Sequence, residues 1–218
     1  MRVLSVNVSM PEVVWYKGRD ISTAINKKPV SGVVHARKTN INGDGQADLS
    51  VHGGHDKAVY AFSVEHYPFF ETVVGRRDFS YGHFGENLTT EGMPEHEMHI
   101  GDQFELGDAV FEVSQPRSPC FKFAVQMGTQ DAVRSMLNSG KTGYYLRVIK
   151  EGAIEPGEIT RLVLDASALS VEEVHRLMYF ELLDTNGLKR ALGTQALAKT
   201  WQDAFAVRLR KLEKKIAD

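Results

Sequence analysis

The stretch Ser170-Val-Glu-Glu-Val-His-Arg-Leu-Met178 is where the chain changes its period. A serine followed three residues later by glutamate is a capping box, in which each side chain bonds the other's backbone N–H and opens a helix. Val174, Leu177, Met178 and Leu182 then recur at helical spacing. Downstream, the pattern predicts a second short helix over 187–192. A third starts near Thr194 and carries Leu197, Trp201, Phe205, Leu209, Leu212 and Ile216 on one face. Upstream the character differs. Leu4, Val6 and Val8 alternate with Val3, Ser5 and Asn7, the period of a strand. Short runs of the same kind fall at 32–36, 58–62, 103–106, 109–114, 144–149 and 159–164. Turn signals such as Asn42-Gly-Asp-Gly45, Gly107-Asp108 and Pro156-Gly157 separate them. Many short strands with glycine-rich turns predict a barrel or sandwich and not a parallel α/β sheet. Two helices are expected as insertions, over 64–74 and 130–138, the latter closed by Gly140. The expected fold is mainly β with α: a β-barrel domain over 1–166 and a small three-helix domain over 167–218.

Composition narrows the function. The 218 residues are 42% hydrophobic and 25% charged, with 26 Lys and Arg against 28 Asp and Glu. That balance builds a core and gives no bulk attraction to nucleic acid. The helical tail holds nine Lys or Arg against seven Asp or Glu, too weak a field to change that reading. One cysteine excludes an intramolecular disulfide and any multi-thiolate zinc site. Polar Ser5, Asn7 and Ser9 interrupt the apolar core that a signal peptide needs, and no apolar run approaches membrane-spanning length. The expectation is a cytoplasmic protein without membrane contact. The sequons at Asn7 and Asn87 are therefore read as unglycosylated.

Three stretches carry chemistry. In Gln115-Pro-Arg-Ser-Pro-Cys-Phe-Lys-Phe123, two prolines stiffen the backbone around Cys120, while Arg117 and Lys122 favour its thiolate. Such a thiolate suits a nucleophile, a persulfide carrier or a soft-metal ligand. In His52-Gly-Gly-His-Asp-Lys57, Gly53 and Gly54 let backbone N–H groups approach an anion, and Lys57 adds charge. Read alone, this is also a plain hairpin tip. Gly82-His-Phe-Gly-Glu-Asn-Leu-Thr89 offers Asn87 to a polar ligand but is equally an ordinary turn. Gly140-Lys-Thr142 imitates the end of a P-loop, yet Ser135 stands where the first glycine belongs. It is read as a helix cap.

Taken together, the Asp44-Gly-Gln-Ala-Asp48, His52-Gly-Gly-His-Asp-Lys-Ala-Val-Tyr60, Phe84-Gly-Glu-Asn-Leu-Thr89 and Gln115–Lys122 stretches resemble the MOSC family, named for the C-terminal domain of molybdenum-cofactor sulfurases. The chain is more closely similar to YiiM-type proteins, in which a MOSC barrel precedes a three-helix domain. That resemblance implies a pterin-based molybdenum cofactor (molybdopterin) with Cys120 as the molybdenum ligand and catalytic residue. It implies that Lys57, Arg117 and Lys122 balance the cofactor's charge, and that His52, Gly53, Gly54 and Asn87 line its pocket. It further implies reduction and detoxification of N-hydroxylated bases and related compounds. The chain has no flavin or iron–sulfur motif, so an external flavoprotein reductase is implied as electron donor. A homodimer is among the expected assemblies. The alternative is a sulfur carrier or sulfurtransferase holding a persulfide on Cys120 for metal–sulfur cofactor assembly.

Overall fold

A computed structural model describes residues 1–48 and 53–217. In chain order it begins with strands β1 (Arg2–Val8), β2 (Glu12–Tyr16), β3 (Arg19–Thr23), β4 (Lys28–Pro29), β5 (Val34–Arg37), β6 (Asn40–Ile41) and β7 (Val59–Ser63). Helix α1 (Tyr67–Val74) precedes β8 (Leu88–Glu91), β9 (Gln103–Leu106) and β10 (Ala109–Pro116). Helices α2 (Phe121–Met127) and α3 (Gln130–Ser139) lead to β11 (Tyr144–Lys150), β12 (Gly152–Ile154), β13 (Gly157–Glu158) and β14 (Thr160–Val163). Helices α4 (Val171–Tyr179), α5 (Thr185–Gly193) and α6 (Lys199–Ala217) follow.

The main sheet runs in the order β13-β1-β8-β7-β11-β10-β9-β14, with β4 added beside β1. It is the β-rich architecture the turn pattern predicts, with two refinements. β7 and β8 pair in parallel, so the sheet is mixed. Among the described residues no ladder joins β13 to β14, so the sheet curls into a half-barrel. The hairpin β2–β3 and helix α2 lack a sequence signal strong enough to expect them, and both flank the site described below. The helix expected over 64–74 splits into a 3-10 turn and α1, with Pro68 tolerated in the first turn, where no backbone donor is needed. Gly140 caps α3 in the left-handed conformation, as read.

The helical tail is stitched to the sheet. Ser170 and Glu173 form the reciprocal capping box at α4. The backbone N–H groups of Ile100, Val171 and Ala198 donate across the junction to Leu169, Met98 and Ser114 at 3.0, 2.8 and 3.0 Å. Val113, Leu146, Val174, Leu177, Leu188 and Phe205 belong to one continuous buried cluster. Hydrophobic burial at roughly 25 cal/mol per Å² thus couples the tail to the barrel. The third helix starts at Lys199, later than its periodicity suggests, because Leu197 and Ala198 serve as its buried approach. Arg208 is not part of a basic surface: it donates to the backbone carbonyls of Leu177 and Met178 at 2.6 and 3.0 Å and so caps the end of α4. Among the described residues no helix is long and apolar enough to cross a membrane.

His175 ties α4 to the end of α3, its Nε2–H donating to the Leu137 carbonyl at 2.7 Å. Burial holds its pKa below the ordinary histidine value, against the pull of that carbonyl. A histidine kept neutral when folded costs stability once the unfolded chain takes up a proton, below about pH 6.5. Acidification from about pH 7 to about 5.5 should therefore lower Tm. His175→Gln should flatten that slope without removing it, because burial also depresses His83. Thermal unfolding followed by circular dichroism at a series of pH values checks both points.

Candidate functional site

The site is built where β10 ends. Pro116 still pairs with Tyr144, but the ladder closes just beyond, with Arg117 N–H donating to Gly143 O at 3.1 Å. Gly143 must be glycine: it has φ +64°, and an added Cβ would meet the Ala61 carbonyl. Pro119 then sets Cys120 in extended backbone (φ −130°, ψ 171°) as the N-cap of α2. The cysteine is half-buried and ends the irregular stretch 117–120 that follows the strand, where it opens the helix.

Arg117 turns inward and is buried. Its Nη1 donates to the Tyr60 hydroxyl at 3.0 Å and the Phe84 carbonyl at 2.8 Å. The guanidinium lies over the rings of Tyr60 (4.6 Å) and Phe123 (5.1 Å). Burial opposes its charge, but Tyr60, Tyr145 and Cys120 outweigh that and raise its pKa. Burial also pushes the Tyr60 phenol up, so it remains a neutral donor, here to Thr142 O at 2.7 Å.

The glycine-rich loop before β8 serves the fold first. Gly82 has φ +86°, and a Cβ there would stand 2.7 Å from Lys27 O. Phe84 points into the aromatic cluster, stacked on Phe62 at 4.5 Å. Glu86 is buried and accepts from Tyr67 Oη, Gly82 N, Phe84 N and Thr89 Oγ1 at 2.5–2.9 Å. Burial pushes its pKa up while these donors oppose the rise. Asn87 uses both ends of its amide. Its Oδ1 accepts from Tyr60 N at 3.1 Å, and its Nδ2 donates to Asn7 O at 3.2 Å and Asp44 Oδ2 at 2.9 Å. Asn7 and Asn87 are both buried, so neither sequon is accessible to a glycosyltransferase.

These elements enclose a slot lined by Lys27, Lys57, Asn87, Arg117, Cys120 and Lys122, with Tyr60, Tyr145, Asp44 and residues 23–25. Its enclosed volume is about 90 Å³, room for a small anionic group, and a larger ligand must extend through the open mouth. Lys27 and Asp44 form a buried ion pair on its wall. Lys57 arrives from a 3-10 turn after Gly54, and burial lowers its pKa against the pull of Asp56. Of the predicted site residues the structure brings together Lys57, Asn87, Arg117, Cys120 and Lys122. Gly53 and Gly54 are not among the slot's lining residues; Gly54, at φ 91°, shapes the turn that delivers Lys57. His52 lies outside the described residues. Lys27 and Tyr145 escaped the sequence reading. Asn26-Lys-Lys28 carries no pattern, and only a three-dimensional contact reveals the lysine's partner.

The chain belongs to the MOSC family: the MOSC domain model matches residues 48–161. A second model, the YiiM-like 3-alpha helix domain, matches residues 169–212. The uncharacterized protein YflK of Bacillus subtilis is 41% identical over 93% of this chain and 92% of its own. The crystal structure of YiiM from Geobacillus stearothermophilus superposes with a TM-score of 0.81 at 33% identity, covering 95% of this chain and 98% of that one. A protein of Gibberella moniliformis named reductase is 36% identical over 67% of this chain, a match that spans 26% of its length.

Replacing Asn87 by Ala strands the buried Tyr60 N–H and removes a partner of Asp44. The expected loss is about 2–4 kcal/mol, since each orphaned buried group costs roughly 1–3. Urea unfolding monitored by circular dichroism measures it.

Proposed function

We propose that the chain is a molybdenum-cofactor oxidoreductase that reduces N-hydroxylated bases and related compounds with electrons from an external flavoprotein reductase. One observation carries this reading: the single cysteine of a MOSC fold stands at the mouth of a slot lined by four cationic side chains and one carboxylate. That donor set fits an anionic, phosphate-bearing cofactor that lacks one sulfur ligand to its metal. Lys57, Arg117 and Lys122, with Lys27 beside Asp44, would hold the cofactor, and Cys120 would offer its thiolate to the molybdenum. Bound there, the cofactor would supply a two-electron redox centre.

The rest falls to the chain's own residues. Arg117 is pinned between two rings and two oxygens, so its charge stays fixed beside the sulfur without reorganising. The aromatic cluster behind it excludes water from the slot's inner wall. Overall, a substrate R–NH–OH takes up two electrons and two protons and leaves as R–NH₂ and water. The electrons come from a partner, and the longer relative named reductase supports pairing this kind of domain with further sequence. The same reading takes 1–166 as the cofactor domain, 167–218 as the helical domain, and the protein as cytoplasmic, with a homodimer as its candidate assembly.

Protein purified from a host that makes the cofactor should contain molybdenum and pterin in near-equal amounts and should turn over an N-hydroxylated base. Zinc alone, or no pterin, would falsify the reading. Cys120→Ser should lose turnover at least a hundredfold, because a hydroxyl is a poor soft-metal ligand at neutral pH. Its Tm should stay close to that of the parent chain, because serine is nearly isosteric and is a preferred N-cap at the start of α2. A persulfide on Cys120 by mass spectrometry, without reductant-driven turnover, selects the sulfur carrier instead.

A further inference from the structure

Where glycine follows asparagine or aspartate, the next backbone nitrogen can approach the side-chain carbonyl carbon, because no side chain bars the way. The chain holds three such pairs: Asn42-Gly43, Asp44-Gly45 and Asn186-Gly187. The fold treats them differently. Asn186 lies in the first turn of α5, and Gly187 N–H donates to Asp184 Oδ1 at 2.9 Å. A nitrogen held in a helix cap attacks nothing until that turn opens, and opening costs free energy. Asp44 is buried, and its two oxygens accept from Ser9 N and Asn87 Nδ2 at 2.9 Å each. The nitrogen that follows it is held as well, Gly45 N–H donating to Ser9 O at 2.9 Å.

Asn42-Gly43 is the open pair. Both residues are exposed in the turn that follows β6, with Gly43 at φ +85°. The backbone on either side is fixed, Asn42 N–H donating to His35 O and Asp44 N–H to Ile41 O, each at 2.9 Å. Between them, Gly43 N–H makes no hydrogen bond among the described residues. A neighbouring side chain adds chemistry: Arg37 Nε donates to Asn42 Oδ1 at 3.3 Å. A cationic donor on that oxygen draws electron density from Cγ and stabilises the negative charge that builds on Oδ1 under attack.

We propose that Asn42 is a self-modification site, deamidated through a cyclic imide with Arg37 as the activating donor, and that the β-linked product unseats Asp44. Solvent base takes the Gly43 N–H proton, and the nitrogen bonds to Asn42 Cγ. The Cγ–Nδ2 bond breaks and the amide nitrogen leaves with a proton as ammonia. Water then opens the imide at one of its two carbonyls. Breaking the new Cγ–N bond gives ordinary aspartate; breaking the original peptide bond leaves the chain running through Cβ and Cγ. Overall, amide and water become acid and ammonia, with no change of oxidation state. The β-linked form adds one backbone atom to the turn closed by Asp44 N–H and Ile41 O. Two residues on stands the carboxylate that joins Lys27, Ser9 and Asn87, so the longer turn displaces it. This inference is independent of what the slot binds.

The test incubates the purified full chain in mildly alkaline buffer at physiological temperature and maps its peptides by mass spectrometry. Electron-transfer fragmentation separates the ordinary from the β-linked product. Asn42 should convert roughly tenfold or more faster than Asn186, because only the latter must wait for local opening. In urea, where both pairs are free of structure, the two rates should converge. Arg37→Gln should slow conversion at Asn42 severalfold, and Asn42→Gln, which would have to close a larger ring, should abolish it. Chain enriched in the β-linked form by chromatography should unfold at lower urea than the parent. Asn42→Asp carries the new charge without the extra backbone atom and should unfold with the parent. Equal rates at Asn42 and Asn186 in the folded chain, or an intact Asn42 there while the urea-treated chain reacts, would overturn the site. An unchanged rate in Arg37→Gln would overturn the role of the arginine, and parent-like unfolding of the β-linked form would overturn the link to Asp44.

Discussion

Asp44 gathers the slot. Its carboxylate pairs with Lys27, accepts the Ser9 N–H at 2.9 Å and accepts the Asn87 amide at 2.9 Å. One buried side chain therefore joins the end of β1, the approach to β4 and the loop before β8. Breaking such a pair leaves an uncompensated buried charge and costs on the order of 3–5 kcal/mol. The inner wall of the slot is referenced to this point. Asn87 passes the constraint to Tyr60, Tyr60 to Arg117, and Arg117 sits beside Cys120.

The polar chain rests on an apolar support. Phe62, Phe70, Phe84 and Phe123 pack with ring centroids 4.5–6.1 Å apart, directly behind Arg117 and Glu86. Glu86 needs that dry environment, because its four donors fix the loop only where water cannot compete. Packing and hydrogen bonding thus solve one problem between them. A positively lined slot repels itself, and the rigid wall holds its charges in place.

The helical tail matters for a different reason. Its hydrophobic core is continuous with that of the sheet, and its backbone bonds cross the junction at Met98, Leu169 and Ser114. The tail cannot swing as a free module without breaking those contacts. Met178, Thr200 and Trp201 consequently hold a fixed position opposite the cysteine segment.

Much of this was legible in the residues. Alternating Leu4, Val6 and Val8 and the Ser170–Glu173 box fix their elements by local rules, since period and capping act within a few residues. Cys120, Arg117, Lys57 and Lys122 were readable as chemistry because reactive side chains clustered near prolines and glycines in the sequence. The rest depended on distance. Asp44 finds Lys27 only because β1, β4 and β8 are neighbours in the sheet. Asn87 serves as a brace and not simply as a lining group because tertiary packing places three partners around its amide. Trp201 reads as an ordinary helix core residue by its spacing, yet it walls a groove beside a cysteine 81 positions earlier. The sequence by itself determined the longer strands and the capped helices, though not the β2–β3 hairpin or α2, and it offered the candidate residues of the site. Tertiary structure alone decided which of them meet, because long-range contacts follow from strand order and core packing and leave no periodic trace in the chain.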